Sequence, residues 1–169
     1  MKIIIPEYKI ERRVRAMAHR ISEEHKASGS ELPPVMVCVL NGAFMFFSDL
    51  IKDMGIEVEL DFIRAKSYDG QVSKEVKITK DLELDITGRR VYIVEDMVDT
   101  GNTMRYILSR FEDKNPECIK IVTLVNRKTN DFPIDHVCFP DMGDEWFVGY
   151  GFDDNGLKRN YRNIYDVRG

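Results

Sequence analysis

Between residues 91 and 104 the chain reads VYIVEDMVDTGNTM: an apolar run ends on Glu95 and Asp96, a third carboxylate follows at Asp99, and four small residues close the stretch, Thr100, Gly101, Asn102 and Thr103. Ionised carboxylates only accept hydrogen bonds, so Glu95 and Asp96 suit the hydroxyls of a vicinal diol and would repel a bare phosphate. The small residues stand just before a helical pattern, where their backbone N–H groups can converge on an anion that the helix N-terminus also favours. A ligand with a phosphate at one end and a diol a short distance away satisfies both halves, and ribose 5-phosphate has that shape. The Gly-Lys-Ser/Thr ending of an NTPase P-loop is absent, as is the spaced glycine triplet of a dinucleotide fold. A strand end running into a solvated polar turn would explain the carboxylates alone, but not their combination with the small-residue loop.

Such a loop needs a buried strand behind it and a helix in front, and the chain supplies the pattern repeatedly. Residues 7 to 27 carry Ile10, Val14, Met17, Ala18 and Ile21 at helical spacing behind Pro6. VMVCVL (35 to 40) reads as a buried strand, followed after Asn41-Gly42 by a helix bearing Phe47, Leu50, Ile51 and Met54. EVELDFI (57 to 63) alternates like a strand with one wet face. Residues 67 to 85 are highly charged with weak alternation around Val76 and Ile78; they read as a long surface loop able to pair as a hairpin, and long loops in compact domains often serve as lids. A strand at VYIVED, a helix through Met104, Ile107, Leu108 and Phe111, and strands at IKIVTLV (119 to 125), DHVCF and WFVGYG complete the pass. Alternating strands and helices predict an open, mostly parallel α/β sheet with helices on both faces.

At 169 residues and 43% hydrophobic content, one domain spanning residues 1 to 169 is expected. The net charge of -4, with Lys and Arg dispersed, lacks the footprint of a nucleic-acid binder and points to a small-molecule partner. No apolar segment has the length of about 20 residues that spans a bilayer, and Pro6 and Glu7 interrupt the apolar start, unlike a signal peptide, so a cytoplasmic protein is expected. Cys38, Cys118 and Cys138 lie far apart in apolar runs and read as buried thiols, and His19, His25 and His136 make no ligand pattern.

VEDMVDTGNTM closely resembles the phosphoribosyl-diphosphate signature of type I phosphoribosyltransferases, in the form seen in their hypoxanthine-guanine branch. VLNGAFMFFSDL (39 to 50), DFIRAKSY (61 to 68) and WFVGYGFDDNGLKRN (146 to 160) are similar to other motifs of that branch, in the same order. The resemblance implies the type I fold with a small hood built from terminal segments. It also implies transfer of phosphoribosyl from phosphoribosyl diphosphate to N9 of a 6-oxopurine, with Mg2+ bound and pyrophosphate released. By position, Glu95 and Asp96 would hold the ribose hydroxyls directly or through a metal, Asp99 to Thr103 would wrap the 5′-phosphate, and Asp99 would act as general base near N7. Asn41 and Gly42 would face pyrophosphate, with a cis peptide expected at Leu40-Asn41. Ser67 and Tyr68, after Lys66, would begin the closing lid. Trp146 would stack on the purine and Phe147 contact the base edge through its backbone; Asp153 would approach both the purine and a magnesium ion, and Arg159 would bind pyrophosphate. A homodimer or homotetramer is implied as well.

Three positions depart from the pattern. Asn41 and Asn102 stand where many relatives have Lys, which implies weaker phosphoribosyl diphosphate binding through a loop that works mainly by backbone amides. Arg127 stands where a Lys usually recognises the purine O6, with Lys128 next to it as an alternative on the other face. Either donor favours a 6-oxopurine over adenine and leaves hypoxanthine, guanine and xanthine open. A nucleotide-sensing regulator on the same fold is the competing class, and the presence of Asp99, Tyr68 and Asp153 together argues against it.

Overall fold

The computed structural model describes residues 1 to 69 and 74 to 169, with Tyr68, Asp69 and Lys74 described by backbone alone. In chain order the elements are β1 (Lys2–Ile5), α1 (Glu7–Ala27), β2 (Val35–Val39), α2 (Phe44–Lys52), β3 (Glu59–Asp69), β4 (Lys74–Lys80), β5 (Arg90–Met97), α3 (Asn102–Glu112), β6 (Cys118–Arg127), β7 (His136–Met142), β8 (Phe147–Val148) and β9 (Ile164–Asp166). The main sheet runs in the order β4-β3-β2-β5-β6-β7, and a smaller one runs β1-β9-β8. In the main sheet every pairing is parallel except that of β4 with β3.

The connections explain the layering. From β2 the chain passes through α2 to β3 on one side, whereas from β5 it passes through α3 to β6 on the other. Parallel crossovers are right-handed, so movement in opposite directions puts α2 and α3 on opposite faces. Side-chain alternation follows: Met36, Cys38, Tyr92 and Val94 pack with Ile10, Met17, Ile21 and Leu50 of α1 and α2. Their neighbours Val35, Val37, Val91 and Ile93 pack with Met104, Ile107 and Phe111 of α3. Strands covered on both faces have no wet side, which is why VMVCV and VYIV read as unbroken apolar runs. The reversal falls between β2 and β5, so the crevice for a ligand opens at their carboxyl ends.

Three expectations need adjustment. The segment from residue 67 is less of a loop than its charge suggests: β3 continues to Asp69 and pairs antiparallel with β4, from Arg64 opposite Lys80 to Asp69 opposite Lys74. Within β4, Val76 and Ile78 are half-buried while Glu75, Lys77 and Thr79 are exposed, so the weak alternation was a strand with one covered face. Residues 70 to 73, the tip of the expected lid, lie outside the described residues. The strand beginning at WFVGYG is short, Phe147–Val148, and it joins the smaller sheet with β1 and β9. This sheet is the hood expected from terminal segments. Lastly, Cys38 and Cys138 are buried, and burial pushes both thiols up to about 12, but Cys118 is only half-buried.

The base of the hairpin is fixed by Asp61. Its side chain is buried and accepts hydrogen bonds from the N–H groups of Phe62 at 2.7 Å and of Glu83 and Leu84 at 2.8 Å each. One carboxylate thus ties β3 to the segment that follows β4. Asp61→Ala would strand these amides, and a loss of about 2 to 4 kcal/mol is expected, since hydrogen bonds to charged groups are worth roughly 1.5 to 3 kcal/mol. Urea unfolding checks the loss, and hydrogen exchange should show the Glu83 and Leu84 amides deprotected first.

Candidate active site

The last turn of β5 leaves Glu95 and Asp96 half-buried at the strand's carboxyl end, and Asp99 and Thr100 exposed beyond it. Gly101 has φ of 80°, in the left-handed region that favours glycine, and sets the start of α3. No side chain caps α3 and its first turn holds no acidic residue. Its leading N–H groups lack intrahelical acceptors, and among the described residues they have one side-chain contact, a long one of Asn102 N–H with Thr100 Oγ1 at 3.4 Å. A cavity of about 180 Å³ lies in front of them, lined by Glu95 and Asp96 on one side and by Thr100, Gly101 and Thr103 on the other.

A second cavity of about 260 Å³ adjoins it and shares Asp96, Met97 and Asp99 as a common wall. Its remaining lining is Arg127, Trp146, Phe147, Phe152 and Asp153. Phe147 is buried, with Phe152 at 5.5 Å between ring centroids and the Arg127 guanidinium carbon 5.0 Å from its ring. Arg127 also donates to the carbonyls of Gly143 and, at 3.0 Å, of Glu145. Arg127 therefore fastens the turn that carries Trp146, which is 57% exposed and flanks the cavity from the solvent side. Lys128 is exposed on the neighbouring position, so it is Arg127 that lines the cavity. An aromatic floor, an exposed indole and one cation define a slot for a flat, polar-edged ring.

The third component comes from β2. The Leu40-Asn41 peptide is cis, as expected, and Asn41 is exposed. A Cβ on Gly42 would lie 2.0 Å from Asp96 Oδ2, so the turn after β2 is pressed directly on the Asp96 carboxylate. Gly151, with φ of 103°, sits on the other side, where a Cβ would meet the Gly42 carbonyl at 2.0 Å. Arg159 Nη1 donates to the Gly151 carbonyl at 2.5 Å and its Nη2 pairs with Asp153 at 2.6 Å. Burial pushes the Glu95 carboxyl well above its ordinary range, and the charge and hydrogen bonding of Asp96 push it further. Burial raises Asp96 too, against the opposing pull of its hydrogen bonds with Glu95 and the Met97 N–H and of the Arg159 charge. Two carboxylates held this close call for a cation or a pair of hydroxyls between them and the ligand.

Glu95, Asp96, Asp99, Thr100, Gly101 and Thr103 thus gather around one cavity, and Arg127, Trp146, Phe147 and Asp153 around the next. Asn102 opens α3 and is exposed. Ser67 lies on β3 beyond the end of β2, opposite Val76, and lines neither cavity; the side chain of Tyr68 lies outside the described residues. Met97, Phe152 and Gly151 were not legible as site residues. Phe152 sits just beyond WFVGYG, and its aromatic character was the available signal; Gly151 carried none besides being a glycine.

A family model for the phosphoribosyl transferase domain matches residues 5–155, and the chain belongs to that family. It is 39% identical to the hypoxanthine phosphoribosyltransferase of Salmonella typhimurium, over 97% of this chain and 92% of the relative. It is 37% identical to the hypoxanthine-guanine-xanthine phosphoribosyltransferase of Tritrichomonas foetus, over 92% and 83%. The structure of hypoxanthine phosphoribosyltransferase from Trypanosoma cruzi in complex with the product IMP superposes with a TM-score of 0.91 at 31% identity, covering 99% of this chain and 94% of that one. Within the family, the chain belongs to the hypoxanthine-guanine branch.

The close approach of Gly42 generates a direct test. Gly42→Ala must displace Asp96 or the β2 turn, and a displacement on the order of 1 Å costs about 100-fold in rate where catalytic geometry is set by positioning. Phosphoribosyl transfer assays should show that loss while the melting temperature falls less, because Asn41 is exposed and Gly42 contributes no side chain to the apolar core.

Proposed function

We propose that the chain transfers a phosphoribosyl group from phosphoribosyl diphosphate to N9 of hypoxanthine or guanine, giving IMP or GMP and pyrophosphate. The observation that carries this reading is the pair of adjoining cavities with one shared wall. One offers amide donors and two carboxylates, as a ribose 5-phosphate needs; the other offers an aromatic slot with Arg127 at its edge. The wall between them is where the bond between sugar and base must form.

Each residue then has a task. The amides of Gly101 to Thr103 take the 5′-phosphate at the N-terminus of α3. Glu95 and Asp96 hold the ribose hydroxyls, and these two with Asp153 are the residues that would hold magnesium. Among the described residues no cluster of three or more carboxylate, His or Cys groups forms a cage. This suits magnesium, which binds through one or two carboxylates and completes its shell with substrate oxygens and water. A bound magnesium ion would supply positive charge to offset that of the departing pyrophosphate. Asn41, Gly42 and Arg159 face that leaving group, Arg159 after giving up its pairing with Asp153, and Ser67 and Tyr68 close over it on the β3–β4 hairpin, which acts as the lid. Positive charge develops at C1′ as the bond to pyrophosphate breaks, and the carboxylates below the sugar stabilise it. Asp99 stands in the common wall and accepts the purine proton as N9 becomes the nucleophile. Arg127 donates to O6, so the 6-amino group of adenine would set a donor against a donor. The protein works in the cytoplasm as a homodimer or homotetramer.

A turnover panel tests the reading. With magnesium and phosphoribosyl diphosphate, nucleotide should form from hypoxanthine or guanine and not from adenine; formation from xanthine alone would move the assignment to a sister activity. Chelation of the metal should abolish turnover and its replacement should restore it. Asp99→Asn should lower kcat by about 10² to 10⁴, the range expected for loss of a general base, with KM for phosphoribosyl diphosphate changed far less.

A further inference from the structure

Two side chains that take no part in either cavity press on the phosphate loop from behind. Arg105 lies one turn into α3, and Phe132, which is buried, comes from the connection between β6 and β7. A Cβ on Gly101 would fall 2.5 Å from Phe132 Cδ2 and 3.0 Å from Arg105 Nη1, so both groups abut the α-carbon of the loop's left-handed residue. The Arg105 guanidinium carbon is 5.1 Å from the Phe132 ring centroid, and Nη1 donates to the Thr100 carbonyl at 3.1 Å. Phe132 is itself pinned: its N–H donates to Asn130 Oδ1 at 3.0 Å, and Asn130 Nδ2 donates to Asn126 Oδ1 at 2.7 Å. The backbone N–H of Asn130 donates to the carbonyl of Arg127 at 3.1 Å. The support of the phosphate loop is therefore continuous with the end of the strand that carries Arg127.

The charge of Arg105 points the same way. A cation near the start of a helix opposes the helix dipole, and α3 has no acidic residue in its first turn to compensate. From Asp99 to Arg105 the sequence holds no other cation. What favours a guanidinium at this place is a carbonyl to bond, a ring to stack on, and an anion bound in front of the loop.

Resting on the reading of the smaller cavity as a 5′-phosphate site, we infer that Arg105, stacked on Phe132, is a positioning residue for that phosphate. By holding the Thr100 carbonyl at the back of the loop, it keeps the amides of Gly101 to Thr103 turned into the cavity, and it places a positive charge behind them that Asn102 does not supply. Lysine cannot do both, because the planar fork is what allows stacking and directed donation together.

The test is calorimetric titration of IMP and of inosine, which lacks the phosphate, into wild type, Arg105→Ala, Arg105→Lys and Phe132→Leu, with steady-state kinetics alongside. Arg105→Ala should weaken IMP about tenfold, as loss of a charge-assisted hydrogen bond does, and leave inosine unchanged. KM for phosphoribosyl diphosphate should rise by a similar factor, with kcat and KM for the base changed by less than about twofold on the same grounds. Arg105→Lys should recover only part of the loss, and Phe132→Leu should reproduce it in direction. Full recovery by lysine would mean that charge alone operates and would overturn the positioning role, as would unchanged IMP affinity in Arg105→Ala or an equal loss for IMP and inosine. If wild type does not prefer IMP to inosine, the phosphate reading of the cavity fails, and this inference with it.

Discussion

Everything at the carboxyl end of the sheet depends on one contact: backbone at Gly42 laid against the carboxylate of Asp96. The strands β2 and β5 are neighbours, and the chain leaves them in opposite directions, so their ends are free to face each other without a crossover between them. That leaves a gap one backbone wide, and the turn after β2 fills it. A second backbone, at Gly151, closes on the far side of the same turn. At Gly42 and Gly151 no side chain fits, so the turn after β2 lies with its backbone against the Asp96 carboxylate on one side and against the Gly151 backbone on the other. A constellation placed this way keeps its geometry when the surface around it changes.

The cost of the arrangement falls on Glu95 and Asp96. Carboxylates resist withdrawal from water, and two adjacent ones resist it more. Their raised proton affinity is the sign of that resistance, and it identifies the strand end as a place whose charge is completed by something else. Arg159 offsets part of it from across the turn, while the same side chain is engaged with Asp153 and the Gly151 carbonyl. Local conflict of this sort is what sequence-to-structure consistency leads one to expect at a functional site.

Much of this was legible because it is local. The span of α1 follows from Pro6 and the spacing of Ile10, Val14, Met17 and Ile21; the phosphate loop follows from an apolar run that stops at Glu95. What was not legible is what depends on partners far along the chain. β9 is three residues, Ile-Tyr-Asp, with no pattern of its own, and it exists because Lys2–Ile5 and Phe147–Val148 lie on either side of it. The alternation of β4 was diluted by the charged and polar residues Glu75, Lys77 and Thr79 on its exposed face, a composition that suits an edge strand but reads as loop. The pairing of Arg127 with Gly143, Glu145 and the Phe147 ring, and that of Arg105 with Phe132, join residues whose proximity only the folded sheet creates.

The hood also orders events in time. Phe147 and Val148 are held by β9 on one side, and Trp146 is tied to the same segment through Asp166 and the N–H of Val167. β9 in turn pairs with β1, which is made first. On the ribosome, β1 must wait unpaired while the whole main sheet is synthesised. The phosphate loop, by contrast, has all its neighbours once β7 has emerged. In a nascent chain the loop before α3 is therefore backed before the hood that carries Trp146 and Phe147 can close.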